Sequence, residues 1–400
     1  MIRRSTLLRR LAALPLASLA PSSARAQGPV PVSGEAFAAW FAVEGVASRS
    51  WRLVADAGDP MRVDIRRIGA TGPATHRVLV LYPRESSAYV TAMTRILEIF
   101  GDKRLDVAFN AVNFDRDDAR GIAALRRAET DGTGLIFAMG SESTAWLHEK
   151  YLDGRLPVVS VCSKDPVILG QARDYESGSG SNFAFTSLNV PLDLQMTYVH
   201  KIKPQLRNIG ILVDATNVSA VETQAEPVAR YAERRGIRSL MLKVADPRAA
   251  RAELSTLVAG AVGAMRRNDP GLDRSVLWIT GSTAVFREIR TINAHADRVP
   301  VLSVVPEVVQ AGDDSAVLSI GVSFESNAHL AAIYGADVLT GGVPAGSLPV
   351  GLVSPPDIAI NFRKAREIGL RIPFRFFESA GTVYDYEGNR VRSADMARPG

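Results

Sequence analysis

Cysteine is nearly missing from this chain: one thiol, Cys162, stands among 400 residues. No internal disulfide can form, which excludes the small secreted scaffolds stapled by several bridges. Histidine is scarce as well. His76, His148, His200, His295 and His329 stand far apart, and none has a second histidine or a cysteine at metal-ligand spacing. There is no Walker loop, no G-x-S-x-G elbow and no H-E-x-x-H segment. The glycines of Gly178-Ser179-Gly180-Ser181 follow no strand and lack the third glycine of a dinucleotide fingerprint. No cofactor and no metal are therefore expected, and the chain is not read as an enzyme. Long apolar runs are also lacking: beyond the first 26 residues nothing approaches the ~20 that a membrane-spanning helix needs.

Charge looks plentiful until it is located. The formal net charge is +5, yet Arg3, Arg4, Arg9, Arg10 and Arg25 all lie in the first 26 residues, which hold no acid. That segment reads as an export signal, with a basic start, an apolar stretch from Leu11 to Ala20, a breaker at Pro21 and a small-x-small site at Ala24-Arg25-Ala26. Without those five arginines the charge falls from +5 to 0. A neutral exported chain has no charge basis for binding nucleic acid or a membrane surface. The expected location is periplasmic, with cleavage after about Ala26; the arginine pairs leave the general and twin-arginine export routes both open. Cys162 sits within the apolar run Val158–Val161 and its sequel, and reads as a buried small hydrophobe rather than a nucleophile.

With 46% hydrophobic and 22% charged residues, the chain is long enough for two cores of common size. From residue 77 short apolar runs alternate with segments of helical period, the pattern of parallel sheets covered by helices. Val78 to Tyr82 is a continuous apolar run ended by Pro83, and Val90, Met93, Leu97 and Phe100 then follow at helical spacing. Further strands are expected at 106–112, 135–139, 157–161 and 183–186, with a helix over 117–128. The pattern restarts after Pro191, with strands at 209–213, 239–244, 276–280 and 299–305. Two α/β sets of similar size result, without a detectable internal repeat. Residues 27–76 are read as a short helix and an extension packed on the first set, and 374–400 as a polar, peripheral tail.

Small hydroxyl residues recur where strands hand over to helices: Ser86-Ser87, Gly140-Ser141-Glu142-Ser143 and Thr280-Gly281-Ser282-Thr283. Ligands of open α/β sheets sit beyond the carboxyl ends of the strands, where hydroxyls and free N–H groups at helix starts can hold a polar group. Each such residue can equally serve only as a helix cap. Two rims of this kind facing each other would make a cleft.

Over about 77–373 the chain resembles the substrate-binding proteins of bacterial ABC transporters with the type I periplasmic-binding fold, particularly the branch of tryptophan and tyrosine binders. The resemblance is carried by Leu156-Pro157-Val158-Val159 with Ser163-Lys164-Asp165-Pro166-Val167, by Arg207 to Val213, by Val304 to Gly321, by Gly335 to Gly342 and by Ile360 to Leu370. It implies two lobes with a ligand cleft at the hinge. The first would comprise 77–187 plus 322–345 and the second 188–321 plus 346–373. Asp165 belongs to the family's "tDPV" segment and Phe324 stands where relatives often carry Tyr. Where relatives have "ptDNt", with a carboxylate able to meet a ligand's amino group, this chain has Thr280-Gly281-Ser282-Thr283, so an amino-acid ligand would need its counter-charge from Glu142 or Glu307.

The expectation is thus an exported solute-binding protein, a monomer, that captures a small organic ligand and delivers it to an inner-membrane ABC permease. A ligand-sensing subunit for a membrane signalling receptor is the alternative, and a periplasmic hydrolase using a loop serine a third reading. The expected ligand contacts are Ser86, Ser87, Ser141, Glu142, Ser143, Asp165, Thr280, Ser282, Thr283, Glu307 and Phe324.

Overall fold

Continuous apolar strands need cover on both faces, and the chain supplies it by alternation. Val78, Leu79, Val80 and Leu81 lie almost wholly buried in the strand His76–Tyr82. The helix that follows, Ser87–Asp102, turns Ala92, Met93, Ile96 and Phe100 inward at spacings of three and four. The computed structural model describes residues 31–32, 40–312 and 314–393; the export segment read over 1–26 lies outside them.

The described strands form two eight-stranded sheets and one two-stranded pair. In the first sheet the central strands His76–Tyr82, Val107–Asn113, Leu135–Met139 and Val158–Val161 run parallel, with Ile136 opposite Val158 and Val78 opposite Phe109. Ser275–Ile279 and Val301–Ser303 continue the parallel pairing of Asn208–Asp214 in the second, with Ile211 opposite Trp278. Phe100 meets Phe109 and Phe137 edge to face at 5.2 and 6.0 Å, and Trp278 is fully buried. Each such aromatic contributes ~1.5–3 kcal/mol through burial.

The segment expected to be a short helix and an extension before residue 77 is, over its described residues, largely strand. Trp51–Asp56 and Asp59–Arg67 form an antiparallel hairpin whose second arm pairs with Val107–Asn113, Ile65 opposite Phe109. Alternate side chains, Trp51, Leu53, Val63 and Ile65, are buried in the first core. The only described helix of that stretch is the short Ala47–Ser50. At the other end, residues expected to be a peripheral tail carry buried Phe376 and Val383, and Thr382–Tyr384 and Arg390–Arg392 extend the second sheet. Helices at Gly140–Lys150 and Ala250–Arg266 lie outside the expected set.

The chain passes between the sheets around a small hinge. Thr186–Ser187 pairs in parallel with Gly351–Leu352. From the second sheet, Leu318–Gly321 leads into the helix Phe324–Leu339, which packs against Ser87–Asp102 of the first lobe. Gly321 is required at this turn, because a Cβ there would run into the Val304 carbonyl. Fully buried Asn327 ties the helix to the hinge: its Oδ1 accepts from the Cys162 N–H at 2.7 Å and from the Thr186 hydroxyl at 3.1 Å.

Candidate functional site

Parallel strands place their carboxyl ends, and the loops that follow, on one side of each sheet. In the first lobe Leu135–Met139 passes directly into Gly140, at φ +76°, and the helix Gly140–Lys150. Val158–Val161 passes into Cys162, a non-glycine residue at φ +53°. Such a conformation costs on the order of 1 kcal/mol or more, and here the Asn327 hydrogen bond holds it. In the second lobe Asn208–Asp214 leads to Asn217, and Ser275–Ile279 to Gly281 and Thr283. These loops face each other across one cleft. Its innermost cavity, about 40 Å³, is lined by Arg84, Ser86, Ser141, Glu142 and Lys164 from one side and by Asn217, Ser219, Gly281 and Thr283 from the other, with Phe324 at the hinge.

At 40 Å³ that cavity holds about one water, so the two rims lie against each other at this point. Larger spaces continue from it between the same lobes. One, of about 860 Å³, runs from Arg84, Arg116 and Glu142 to Asp246, Arg248 and Thr283. Another, of about 1250 Å³, lies between Ser87, Thr91, Glu307 and Phe324 and the second lobe's Arg248, Arg251 and Arg287.

Lys164 spans the cleft between the two rims. Its backbone N–H donates to the Ser141 hydroxyl at 2.9 Å, and its buried Nζ donates to the Gly281 carbonyl of the opposite lobe at 3.3 Å. Burial pushes its ammonium down to about 8, against the neighbouring Cys162 and reinforced by Arg84. Gly281 leaves room for it, since a Cβ there would stand 2.8 Å from Nζ. Glu142, on the rim beside it, is shared by two guanidiniums: Arg84 Nε at 3.2 Å and Arg116 at 3.0 Å through both Nε and Nη2. Burial alone would raise its carboxyl, but the arginines' hydrogen bonds and charges hold it below the ordinary value.

Four of the expected contacts lie away from these cavities. Ser143 is fully buried and donates to the Leu81 carbonyl at 2.9 Å. The Thr280 hydroxyl donates to the Leu212 carbonyl at 2.9 Å, and Ser282, equally buried, lies 3.1 Å from Thr280 Oγ1 and accepts from the Asp214 N–H. Asp165 turns its carboxylate away, accepting from the N–H groups of Val167 and Ile168 and from the Tyr175 hydroxyl at 2.7 Å. All four satisfy the backbone around the strand ends, and none lines the cavities described.

The remaining expected residues do reach the cleft. Ser86, Ser141, Glu142, Thr283 and Phe324 line the innermost cavity, while Ser87 is exposed on the larger outer one. Glu307 also faces that outer space at the hinge, and its Oε1 accepts from the Phe324 N–H at 2.7 Å. Burial pushes the Glu307 carboxyl up to about 7, against the backbone N–H bonds that it accepts. Cys162 lines the inner cavity, but burial raises its thiol far above the usual range, which suits an inert group. Lys164, Arg84, Arg116 and Asn217 were not among the expected residues. Lys164 did carry a signal: a lysine directly after an apolar strand has no solvated face to explain it.

Among the described residues no helix is long and apolar enough to cross a membrane, and no cluster of His, Cys, Asp and Glu could hold a metal ion.

Among solved structures the chain is similar to a conserved domain protein from Vibrio cholerae O1 biovar eltor, with a TM-score of 0.61 and 18% identity over 77% of this chain and 99% of that one. It is similar at the same TM-score, with 17% identity and the same coverage, to an ABC domain in complex with L-Trp from Streptococcus pneumonia. A third similar structure is the ligand-free, open form of a substrate binding protein with adhesive properties from Clostridium difficile, at TM-score 0.55 and 18% identity, over 75% of this chain and 96% of that one. At such identities the likeness is one of fold, and the fold is the expected type I periplasmic-binding architecture of two mostly parallel sheets flanked by helices. None of the curated proteins compared matches the chain. Residues 97–384 match the family described as ABC transporter substrate binding protein. With that match covering well over half of its length, the chain belongs to the ABC transporter substrate binding proteins.

Proposed function

We propose that the protein captures a small organic solute between its two lobes and delivers it to an ABC permease of the inner membrane, after export to the periplasm directed by residues 1–26. The observation that carries this reading is the cleft onto which the strand ends of both lobes converge, bridged by the 3.3 Å bond from Lys164 to Gly281. A ligand held by both rims favours the closed form, because only that form offers both sets of contacts. The permease then distinguishes loaded from empty receptor by shape. No catalytic step is assigned; the work of the site is to bind and release, as a monomer that opens and closes.

The test is a thermal-shift screen of the purified protein against amino acids, organic acids, sugars and nucleosides, followed by calorimetry. A ligand at 100 times its dissociation constant stabilises the folded state by about 2.7 kcal/mol, a shift of several degrees. Stabilisation by one chemical class is the expected result. No shift with any compound would overturn the reading.

A further inference from the structure

The charge of the inner cleft is unbalanced. Arg84 and Lys164 line the innermost cavity with a single carboxylate, Glu142, which Arg84 and the adjoining Arg116 already bond. Among the described residues Lys164 forms no ion pair, and its ammonium, with three protons to donate, has one acceptor, the Gly281 carbonyl. Two nearby acids are committed elsewhere. Asp165 binds backbone N–H groups and Tyr175, and Asp214 accepts from the Thr216 N–H and hydroxyl at 2.8 and 2.7 Å.

The position of that ammonium is built by both lobes. The left-handed turn at Cys162, held by Asn327, directs the chain into the cleft, and the Ser141 hydroxyl accepts the Lys164 N–H. From the opposite lobe Gly281 withholds a side chain that would crowd Nζ. An unpaired ammonium in a buried site is unfavourable, and a lysine placed so deliberately without a carboxylate leaves its counter-charge to come from outside. Ser86, whose hydroxyl makes no cap bond to its own helix, and Thr283 line the same cavity and offer two further donors.

We infer that the captured solute is a small organic anion, its carboxylate or phosphate group received by the Lys164 ammonium where the two lobes meet. This rests on the capture reading above and narrows it. A free amino acid fits less well, because Glu142 is neutralised by two arginines and burial shifts the other expected carboxylate, Glu307, toward its neutral form.

The experiment compares matched probes by calorimetry and thermal shift on the purified protein: benzoate, 4-hydroxyphenylacetate and succinate against their primary amides, glycerol 3-phosphate and ribose 5-phosphate against glycerol and ribose, and L-tryptophan as the zwitterion. Lys164→Met and Lys164→Arg are measured alongside. The expected result is binding by a carboxylate or a phosphate and not by its neutral counterpart. Lys164→Met should then weaken that binding on the order of 10- to 100-fold, as for loss of a charged hydrogen bond, while Lys164→Arg retains most of it. The melting temperature of unliganded Lys164→Met should be no lower than that of the parent, because an unpaired buried charge has been removed. A neutral probe bound as well as its anion, L-tryptophan preferred over every anion, or unchanged affinity in Lys164→Met would overturn the inference and leave the capture reading standing, with Lys164 as a latch between lobes. Binding of no probe in any charge class would overturn both. Whether the carboxylates or the phosphates respond identifies which anionic group the site takes.

Discussion

A buried carboxyl at a hinge is sensitive to its protonation, and Glu307 is such a group. Its Oε1 accepts the Phe324 N–H, Oε2 is buried without a partner, and burial raises the pKa from the ordinary 4.5 to about 7. Between those values the folded chain keeps a proton that the unfolded chain has released, so this group's contribution to stability falls as pH rises through that window. Glu307→Gln keeps the acceptor for Phe324 and removes the charge. Its melting temperature should therefore vary less than the parent's between about pH 5 and 7, and should exceed the parent's at pH 8. Parallel melting curves across that range would refute a titrating Glu307. The same scale explains why residue type alone misleads about site chemistry: Ser143 and Ser141 lie two positions apart on one helix, yet one hydroxyl is consumed by the Leu81 carbonyl and the other receives Lys164 at the cleft.

At the scale of elements, the hairpin over residues 51–67 is the addition that widens the first sheet. Trp51 anchors it, with Nε1 donating to the Leu97 carbonyl at 3.1 Å and its ring edge-on to Phe109 at 5.6 Å. Trp51→Ala should cost about 3–5 kcal/mol, the usual range for emptying a buried aromatic site. A urea titration would register this as a lower midpoint, and a change below 1 kcal/mol would mean that the hairpin is an ornament rather than part of the first core. The alternation from residue 77 was readable as strand and helix because an apolar run covered on both faces leaves a continuous signature. The hairpin was not, because Asp56, Asp59, Arg62, Asp64 and Arg66 interrupt its apolar positions, and only the partner strand Val107–Asn113 makes that alternation a strand pattern. The residues after 373 were misread for the same reason: Phe376 and Val383 are isolated in sequence and find their core only through distant segments, Phe376 against Tyr198 and Val383 beside Asp357–Asn361.

For the whole molecule the question is what holds the lobes together. The Lys164 to Gly281 bond is a direct polar contact between them, and Gly281 also donates its N–H to Gln224 Oε1 at 2.7 Å. Gly281→Val would place carbon 2.8 Å from Lys164 Nζ and 3.2 Å from Gln224 Oε1, displacing both heads. Small-angle scattering should then show a larger radius of gyration than the parent, reflecting a population moved toward the open form; identical scattering would mean that this contact does not govern closure.

Sequence alone determined what depends on local pattern: the export signal as an expectation, two α/β sets from apolar runs and helical period, and the family through motifs in a fixed order. It also pointed to the loops after the parallel strands as the place for a ligand cleft. Tertiary structure decided which side chains are free to act there. Glu142 loses its availability to Arg84 and Arg116, 58 and 26 residues away, and Asp165 loses its own to a turn and to Tyr175. Lys164 gains its isolation from Cys162, Asn327 and Gly281, drawn from three separate parts of the chain. Propensity and period act over a few neighbouring residues, whereas the charge and hydrogen-bond balance of a cleft is summed over groups that only the fold brings within a few ångströms.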